Sequence, residues 1–290
     1  MIRYVVDHAD FRAKVGNSRL DRASKRTTHF VSVGGYEEPP SAFWSEVKPH
    51  FQDLQHDKCV FCERQFETTE FGKIEFDLEH FRPKSSVKAW PPLRGRRFHY
   101  DFQTGGDSPS GYFWLAYDLG NYAASCKVCN STLKSNYFPV AGGRVTQPGD
   151  LAAEQALLCY PINAVDDDPE TLISFIATTA IPASADDSRN KRGRVIIDFF
   201  RLNLRERLHR ERAQLLSLLG NSLDAIDRDD ADDSDRKWDD FLMTPRFPHL
   251  NCCRSFRRTW TMDKPLARQI WRACKAYVLS EKGTPPPAVG

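Results

Sequence analysis

The chain has 290 residues, a net charge of +2, 40% apolar residues and 28% charged residues, a composition typical of a globular protein of one or two domains. No apolar run is long enough to cross a membrane, and residues 1–14 lack the apolar stretch of a secretion signal. We therefore expect a cytoplasmic protein with no membrane partner. The small net charge says little about other partners, but residues 82–97 carry six Lys or Arg and no acid, which forms a local basic segment.

The first part of the chain predicts an irregular arm and then a helix. Residues 1–40 are polar and basic, so we expect a loosely ordered N-terminal arm with one strand near Phe30–Val33. From Ser41 onward, spaced apolar side chains predict an amphipathic helix that leads to Cys59. Pro49 lies within this segment, so the helix is either kinked or begins later.

The middle of the chain predicts one strand, a long loop and two short helices. Residues 74–82 alternate apolar with acidic side chains, which is the period of a strand. Residues 85–111 are rich in Pro, Gly and Arg and predict a loop. The stretches 112–126 and 130–140 predict short helices.

From about residue 151 the pattern becomes mainly helical. A strand is expected at 171–177, and two helical runs lie within 187–226. Asn203, with Glu206 three residues later, is typical of a capping box at a helix start. The Asp-rich run 224–240 predicts a flexible linker or a patch that docks a basic partner.

Four of the eight cysteines form two C-x-x-C pairs, Cys59/Cys62 and Cys126/Cys129. Four thiolates are the ligand set of a closed structural zinc site, and a cytosolic chain with paired C-x-x-C motifs predicts a metal site before disulfides. Residues 63–125 separate the pairs, so zinc would join the two ends of a large insert. A redox pair is less favoured, because no βαβ pattern surrounds either motif. The remaining cysteines are expected to be small buried apolar residues: Cys159, Cys252, Cys253 and Cys274.

A histidine and two amides lie near these cysteines in the sequence. Glu79 and His80 end the predicted strand in "EHFRPK", and Asn121 and Asn130 flank the second cysteine pair in "LGNYAASCKVCNSTLK". These motifs resemble the HNH endonuclease family, which has a ββα-metal fold and often carries zinc knuckles. The resemblance implies an α+β fold with a zinc-braced ββα-metal (HNH) nuclease core at 41–145 and a mainly α-helical C-terminal region at 146–290.

The chemistry of these residue types agrees with phosphodiester hydrolysis. Such a reaction needs a base that activates water and a cation that stabilises the leaving oxygen; a histidine suits the first task, and acid and amide oxygens suit a hard divalent ion. The resemblance implies that His80 is the general base, that Glu79 and Asn130 hold a catalytic Mg²⁺ or Mn²⁺, and that Asn121 braces the loop that positions His80. The family commonly has Asp where Glu79 stands, and Asp77 is a second, less favoured metal ligand. The expected nucleic-acid contacts are Arg82, Lys84, Lys134, Arg94, Arg96 and Arg97.

Residues 43–215 are similar in layout to the Septu-type (PtuB-like) HNH nucleases found in bacterial anti-phage systems. This similarity implies an endonuclease that acts on DNA, with RNA not excluded, beside an ATPase partner of the SMC/ABC-like kind. The alternative is a zinc-scaffolded nucleic-acid-binding protein without catalysis. Glu79, His80 and Asn130 favour catalysis, because binding alone requires none of them.

Overall fold

The computed structural model of the chain describes residues 1–39, 43–67, 74–92, 98–163, 167–280 and 284–286. Its contacts divide the chain into two compact units. The N-terminal unit comprises residues 3–61 and 65–167, and the C-terminal unit comprises residues 1–2, 62–64 and 168–290. The sequence placed the division at 145/146, so some twenty residues that were expected in the C-terminal region lie in the N-terminal unit.

The N-terminal unit begins with two helices, α1 (His8–Val15) and α2 (Asn17–Val33). The expected irregular arm with a strand near its end is therefore wrong. The Asp7 carboxylate caps α1 by accepting from the backbone N–H of Ala9, and α2 ends where Gly34 adopts the left-handed region with φ 70°. Most exposed residues of α2 are polar, while Phe30 is buried. This polar composition is why the sequence did not predict the helix.

A third helix, α3 (Lys48–Leu54), carries Pro49 in its first turn. Proline is tolerated there because that N–H has no partner within the helix. The expectation that the helix begins later, near the proline, is confirmed.

Two antiparallel strands form the centre of this unit: β1 (Phe76–His80) and β2 (Tyr122–Cys126). Phe76 lies opposite Cys126, and His80 lies opposite Tyr122. The strand β1 was predicted. The strand β2 was expected as part of a short helix, but only the 3₁₀ turns Phe113–Leu115 and Leu119–Asn121 are helical. All five residues of β2 are buried, so its sequence lacks the alternation that marks a half-exposed strand.

A short helix follows β2 directly, at Val128–Lys134, and is called the site helix below. It is wound as a π-helix, a form that is rare and frequent at functional sites. This helix was predicted from "NSTLKSNYFPV". From β1 to the site helix, the order along the chain is strand, strand, helix. The described parts of the long insert, 85–92 and 98–111, contain no helix or strand, as expected for a loop.

The C-terminal unit is a small hairpin with helices. Its hairpin is β3 (Ile173–Ile176) with β4 (Thr179–Pro182), and its helices are α4 (Asp187–Phe199), α5 (Glu206–Asp227), α6 (Asp233–Arg236), α7 (Trp238–Met243), α8 (Leu250–Met262) and α9 (Lys264–Leu279). The predicted strand and the two helical runs are confirmed. Among the described residues, no helix combines the length and apolar character that a membrane span requires.

In the C-terminal unit, the predicted cap at Asn203 and the predicted flexible linker at 224–240 are wrong, while the alternative of a docking patch at 224–240 stays a prediction. Asn203 does not cap α5; its side-chain amide instead exchanges hydrogen bonds of 2.7 and 2.8 Å with the backbone of Ala180. The Asp-rich run is not a linker, because it forms the end of α5 and the helices α6 and α7. The Asp227 carboxylate accepts from Lys264 at 2.7 Å, so part of this acidic charge is neutralised within the unit.

Gly111 makes a close backbone approach that fixes the segment after β1. A Cβ at this position would lie 2.4 Å from the Pro83 carbonyl oxygen and 2.6 Å from the backbone of Lys84. We expect Gly111→Ala to lower the free energy of unfolding by about 1–3 kcal/mol, since backbone atoms have to move apart. Urea denaturation measures this change.

Gly106→Ala is the matched control, because a Cβ there meets nothing within 4 Å. This variant should be neutral or more stable by up to about 1 kcal/mol, through a less flexible unfolded chain. Equal effects of the two substitutions would contradict the close approach.

Candidate functional site

The two cysteine pairs meet in space. The sulfur atoms of Cys59, Cys62, Cys126 and Cys129 all lie within 4.8 Å of one another, and all four residues are buried. Thiolates at such mutual distances match the tetrahedral coordination of zinc. The four cysteines could therefore hold a zinc ion, as their spacing predicts.

Gln55 anchors the first cysteine pair to β2. Its side-chain amide donates to the carbonyl oxygens of Lys58 and Ala124, at 2.8 Å each, and its Oε1 accepts from the Ala124 N–H at 2.7 Å. The Cys126 N–H points at the Cys59 sulfur, 3.4 Å away. Such a donor stabilises a thiolate and helps to orient it toward a metal, so the surroundings of the Cys59 sulfur favour ligation.

A small open pocket lies at the end of β1. Its volume is about 150 Å³. It brings together three predicted site residues (Glu79, His80 and Asn130) with the predicted phosphate contact Lys84, and it is also lined by Leu78, Pro83, Ser85, Ser135 and Asn136. Because β1 delivers the acid and the histidine while the site helix delivers the amide, the pocket depends on how these two elements pack.

Glu79 is almost completely buried and forms an ion pair with Lys134. The Lys134 Nζ lies 3.1 Å from Glu79 Oε1, and the two side chains are 0% and 4% exposed. The same ammonium group lies 3.4 Å from the His80 carbonyl oxygen. Burial raises the pKa of Glu79 to about 7 while the attraction of Lys134 opposes that rise, and burial lowers the pKa of Lys134. Lys134 was expected to contact phosphates, but the structure buries it beneath the pocket.

The imidazole of His80 is held between two aromatic rings. The rings of Trp44 and Tyr122 lie 5.2 and 5.0 Å from it, both edge to face. His80 Nε2 lies 3.1 Å from the Ala116 carbonyl oxygen. Because a carbonyl can only accept, Nε2 carries the hydrogen and Nδ1 keeps its lone pair.

Burial also determines the charge of His80. Removal from water, together with the neighbouring ammonium group of Lys84, lowers the pKa of His80 to about 3. The imidazole is therefore neutral near pH 7 and has a lone pair that can accept a proton. The lowered pKa also makes it a weaker base than an ordinary histidine.

Asn121 clamps the turn that follows His80. Its Nδ2 donates to the carbonyl oxygens of Arg82 and Leu115 at 3.0 and 3.2 Å, and its Oδ1 accepts from the Arg82 N–H at 2.8 Å. The Asn121 carbonyl oxygen also accepts from the Phe81 N–H at 2.8 Å. This side chain is 2% exposed, so it lies behind the pocket and fixes the backbone that leaves β1.

The expected phosphate contacts differ in their placement. Lys84 lines the pocket and lies over the ring of Tyr36, 4.2 Å from its centroid. The guanidinium group of Arg82 instead donates to the buried carboxylate of Glu154 at 3.1 Å. It does not line the pocket, because its side chain turns toward the aromatic rings of Tyr112 and Phe138. The predicted contacts Arg94, Arg96 and Arg97 lie outside the described residues.

Several groups at the site were missed by sequence reasoning. Trp44 and Tyr122 hold the imidazole, the Ala116 carbonyl fixes its tautomer, and Glu154 holds Arg82. No spacing rule points to Trp44 or Glu154, since both lie far along the chain from their partners. Tyr122 follows Asn121 directly and could have been found had β2 been predicted as a strand opposite His80.

A comparison with known proteins supports a Septu-like relationship. A scan against protein families finds no match for the chain. The chain is similar to the Septu protein PtuB of Bacillus mycoides (strain KBAB4), with 31% identity over 204 residues, which cover 69% of this chain and 60% of that protein. The chain therefore aligns with about three fifths of the length of this relative.

Metal analysis of purified protein tests the cysteine cluster. We expect about one zinc per chain, since four thiolates form one closed site, and the loss of this zinc in Cys126→Ser. Cys159→Ser is the control: Cys159 is buried but lies outside the cluster, and its sulfur donates to the Asp167 carbonyl, as a serine hydroxyl also can. Full zinc content in Cys126→Ser, or its loss in both variants, would contradict a site formed by these four cysteines.

The clamp made by Asn121 has a measurable effect on stability. We expect Asn121→Ala to lower the free energy of unfolding by about 3 kcal/mol, because three hydrogen bonds are lost and buried backbone groups remain without partners. Asn190→Ala, which removes one side-chain bond to the Ser184 carbonyl, should cost about 1 kcal/mol or less. A similar small cost for both, measured by urea denaturation, would show that the clamp contributes little.

Proposed function

We propose that the chain is a metal-dependent endonuclease of the HNH type that hydrolyses phosphodiester bonds in nucleic acid, most favourably in DNA. The observation that carries this proposal is the pocket at the end of β1. There a neutral histidine, a carboxylate and an amide lie together at the junction of two strands and a helix. The chain order of strand, strand and helix agrees with the ββα-metal fold that the motifs resemble.

His80 is proposed as the general base. Its Nε2 hydrogen is bound by the Ala116 carbonyl, so Nδ1 remains to take a proton from a water molecule that attacks phosphorus. The rings of Trp44 and Tyr122 hold the imidazole in one orientation. A positioned base of this kind contributes about 10²–10⁴-fold to a reaction rate.

Glu79 and Asn130 would hold the divalent ion. The donor set fits Mg²⁺ or Mn²⁺, because carboxylate and amide oxygens are hard ligands and because Glu79 already binds a cation, the ammonium group of Lys134. When bound, such an ion supplies positive charge that stabilises the oxygen leaving the phosphorus. Asn121 keeps the turn after His80 in place and is proposed as a positioning residue.

The nucleic acid would enter the pocket from the side of Lys84. Among the predicted phosphate contacts that the structure describes, Lys84 lines the pocket. The rings of Tyr36 and Trp44 lie 4.2 and 5.2 Å from its Nζ. A lysine can bind a phosphate of a nucleic acid, and an aromatic ring beside it can stack on the adjacent base. Lys84→Ala should therefore weaken substrate binding more than it slows the chemical step.

We further propose that the chain serves bacterial anti-phage defence together with an ATPase of the SMC/ABC-like kind. The resemblance of its motifs to Septu-type nucleases and its similarity to a Septu protein PtuB support this role. Co-purification of the chain with the product of a neighbouring ATPase gene tests the partner.

A cleavage assay tests the activity. Zinc-loaded protein is incubated with plasmid DNA, single-stranded DNA and transfer RNA in Mg²⁺ or Mn²⁺, and products are separated on gels. We expect wild-type protein to leave 5′-phosphate ends, and His80→Ala to be slower by about 10²–10⁴-fold. His99→Ala, a change at an exposed histidine of the same unit, is the control and should retain full activity.

Two outcomes separate this proposal from its alternative. Cleavage by His80→Ala at the wild-type rate would remove His80 from the mechanism. Binding of nucleic acid without cleavage, with every metal and substrate and with the partner ATPase present, would favour the alternative of a zinc-scaffolded binding protein.

A further inference from the structure

We propose that Lys134 is an internal counter-cation that occupies the metal-binding carboxylate of Glu79 in the metal-free protein. A divalent ion can bind strongly only when this ammonium group leaves Glu79. The inference rests on the proposed function, because it takes Glu79 as a ligand of the catalytic ion. It gives Lys134 a different role from the phosphate contact that the sequence suggested.

The geometry of Lys134 supports this role. Its Nζ lies 3.1 Å from Glu79 Oε1 and 3.4 Å from the His80 carbonyl oxygen, and its side chain is fully buried. A cation is thus already placed between the carboxylate and the backbone of the histidine. Lys134 is the last residue of the site helix, which also carries the proposed ligand Asn130, so both groups are fixed by one element.

The charges that face this position favour competition over sharing. A divalent ion and an ammonium group on one buried carboxylate repel each other strongly, because little water screens them. Asp77, the nearest other acid on β1, lies 2.7 Å from Lys127 and 3.5 Å from Lys48. Lys84 on the pocket wall adds positive charge. Among the described residues, Glu79 is the acid that lines the pocket, so either cation would use its carboxylate.

The consequence is that a high concentration of the divalent ion is needed before the site is occupied. A buried carboxylate paired with a lysine keeps its negative charge satisfied while no metal is bound. The chain would therefore remain folded and poorly loaded with catalytic metal at low concentrations of Mg²⁺. A nuclease whose catalytic metal site is poorly occupied would cleave little nucleic acid at low concentrations of Mg²⁺.

Direct metal binding tests the competition without measuring activity. Mn²⁺ binding to zinc-loaded protein is measured by electron paramagnetic resonance in wild type, Lys134→Met, Glu79→Gln and the double variant. We expect Lys134→Met to bind Mn²⁺ roughly tenfold tighter or more, since a nearby positive charge is removed. Glu79→Gln and the double variant should lose this binding. Lys88→Met removes the same charge at an exposed lysine of the same unit and should bind like wild type.

The variants separate failure of this inference from failure of the proposed function. Suppose that Glu79→Gln loses Mn²⁺ while Lys134→Met binds it no more tightly than wild type. Lys134 then does not compete with the metal, but Glu79 is still a metal ligand. If Glu79→Gln binds Mn²⁺ as wild type does, Glu79 is not a ligand. The metal site of the proposed function then fails, and this inference fails with it.

A second measurement uses the wild-type chain, in case Lys134→Met does not fold. Protein labelled with ¹⁵N in its lysine side chains should give a resolved signal for the buried Lys134 ammonium group, assigned by its absence in Lys134→Arg. We expect this signal to shift and broaden during a Mg²⁺ titration, as the ammonium group reaches water. An unchanged signal at saturating Mg²⁺ would overturn the proposal.

Discussion

The antiparallel pairing of β1 with β2 is the constraint on which the rest of the site depends. His80 lies opposite Tyr122 and Glu79 lies opposite Ala123. The strand β2 begins directly after Asn121, which clamps the turn beyond β1, and ends at Cys126, within the cysteine cluster. A slip of one residue in this pairing would move the side chains of Glu79 and His80 each to the other face of the strand pair. One short strand thus connects the clamp, the imidazole support and the metal-binding sulfurs.

Burial gives the site its chemical character. Glu79, Lys134 and Asn121 are polar and almost completely buried, which is costly unless each finds a partner. Glu79 and Lys134 satisfy each other, and Asn121 binds three backbone groups. Removal of His80 from water, together with the neighbouring Lys84, keeps its imidazole neutral. The site is therefore held by many local hydrogen bonds and one buried ion pair.

The sequence predicted those parts of the site whose signals are local. The C-x-x-C spacing predicted the cysteine cluster, and the alternation at 74–82 predicted β1. The prediction of secondary structure failed for elements whose form depends on tertiary packing. The strand β2 is buried on both faces and shows no alternation of apolar and polar residues. The exposed residues of α1 and α2 are mostly polar.

The direction in which a side chain points could not be predicted from the sequence either. Arg82 and Lys134 belong to motifs in which a basic residue suggests phosphate binding. Arg82 instead pairs with Glu154, some seventy residues further on, and Lys134 pairs with Glu79 across two elements. Motif position cannot distinguish a cation that faces solvent from one that neutralises a buried acid, because both have the same spacing. The residues that surround each cation in the folded chain determine which of the two roles it has.

Anomalous diffraction from crystals soaked in Mn²⁺ together with a nucleic-acid fragment tests the central claim most directly. We expect a manganese peak in the pocket at the end of β1, within coordination distance of Glu79 and Asn130, with a phosphate between the ion and His80 Nδ1. A zinc peak should remain at the four cysteines. Manganese that binds only elsewhere, while the phosphate lies away from His80, would contradict a metal-dependent nuclease site in this pocket.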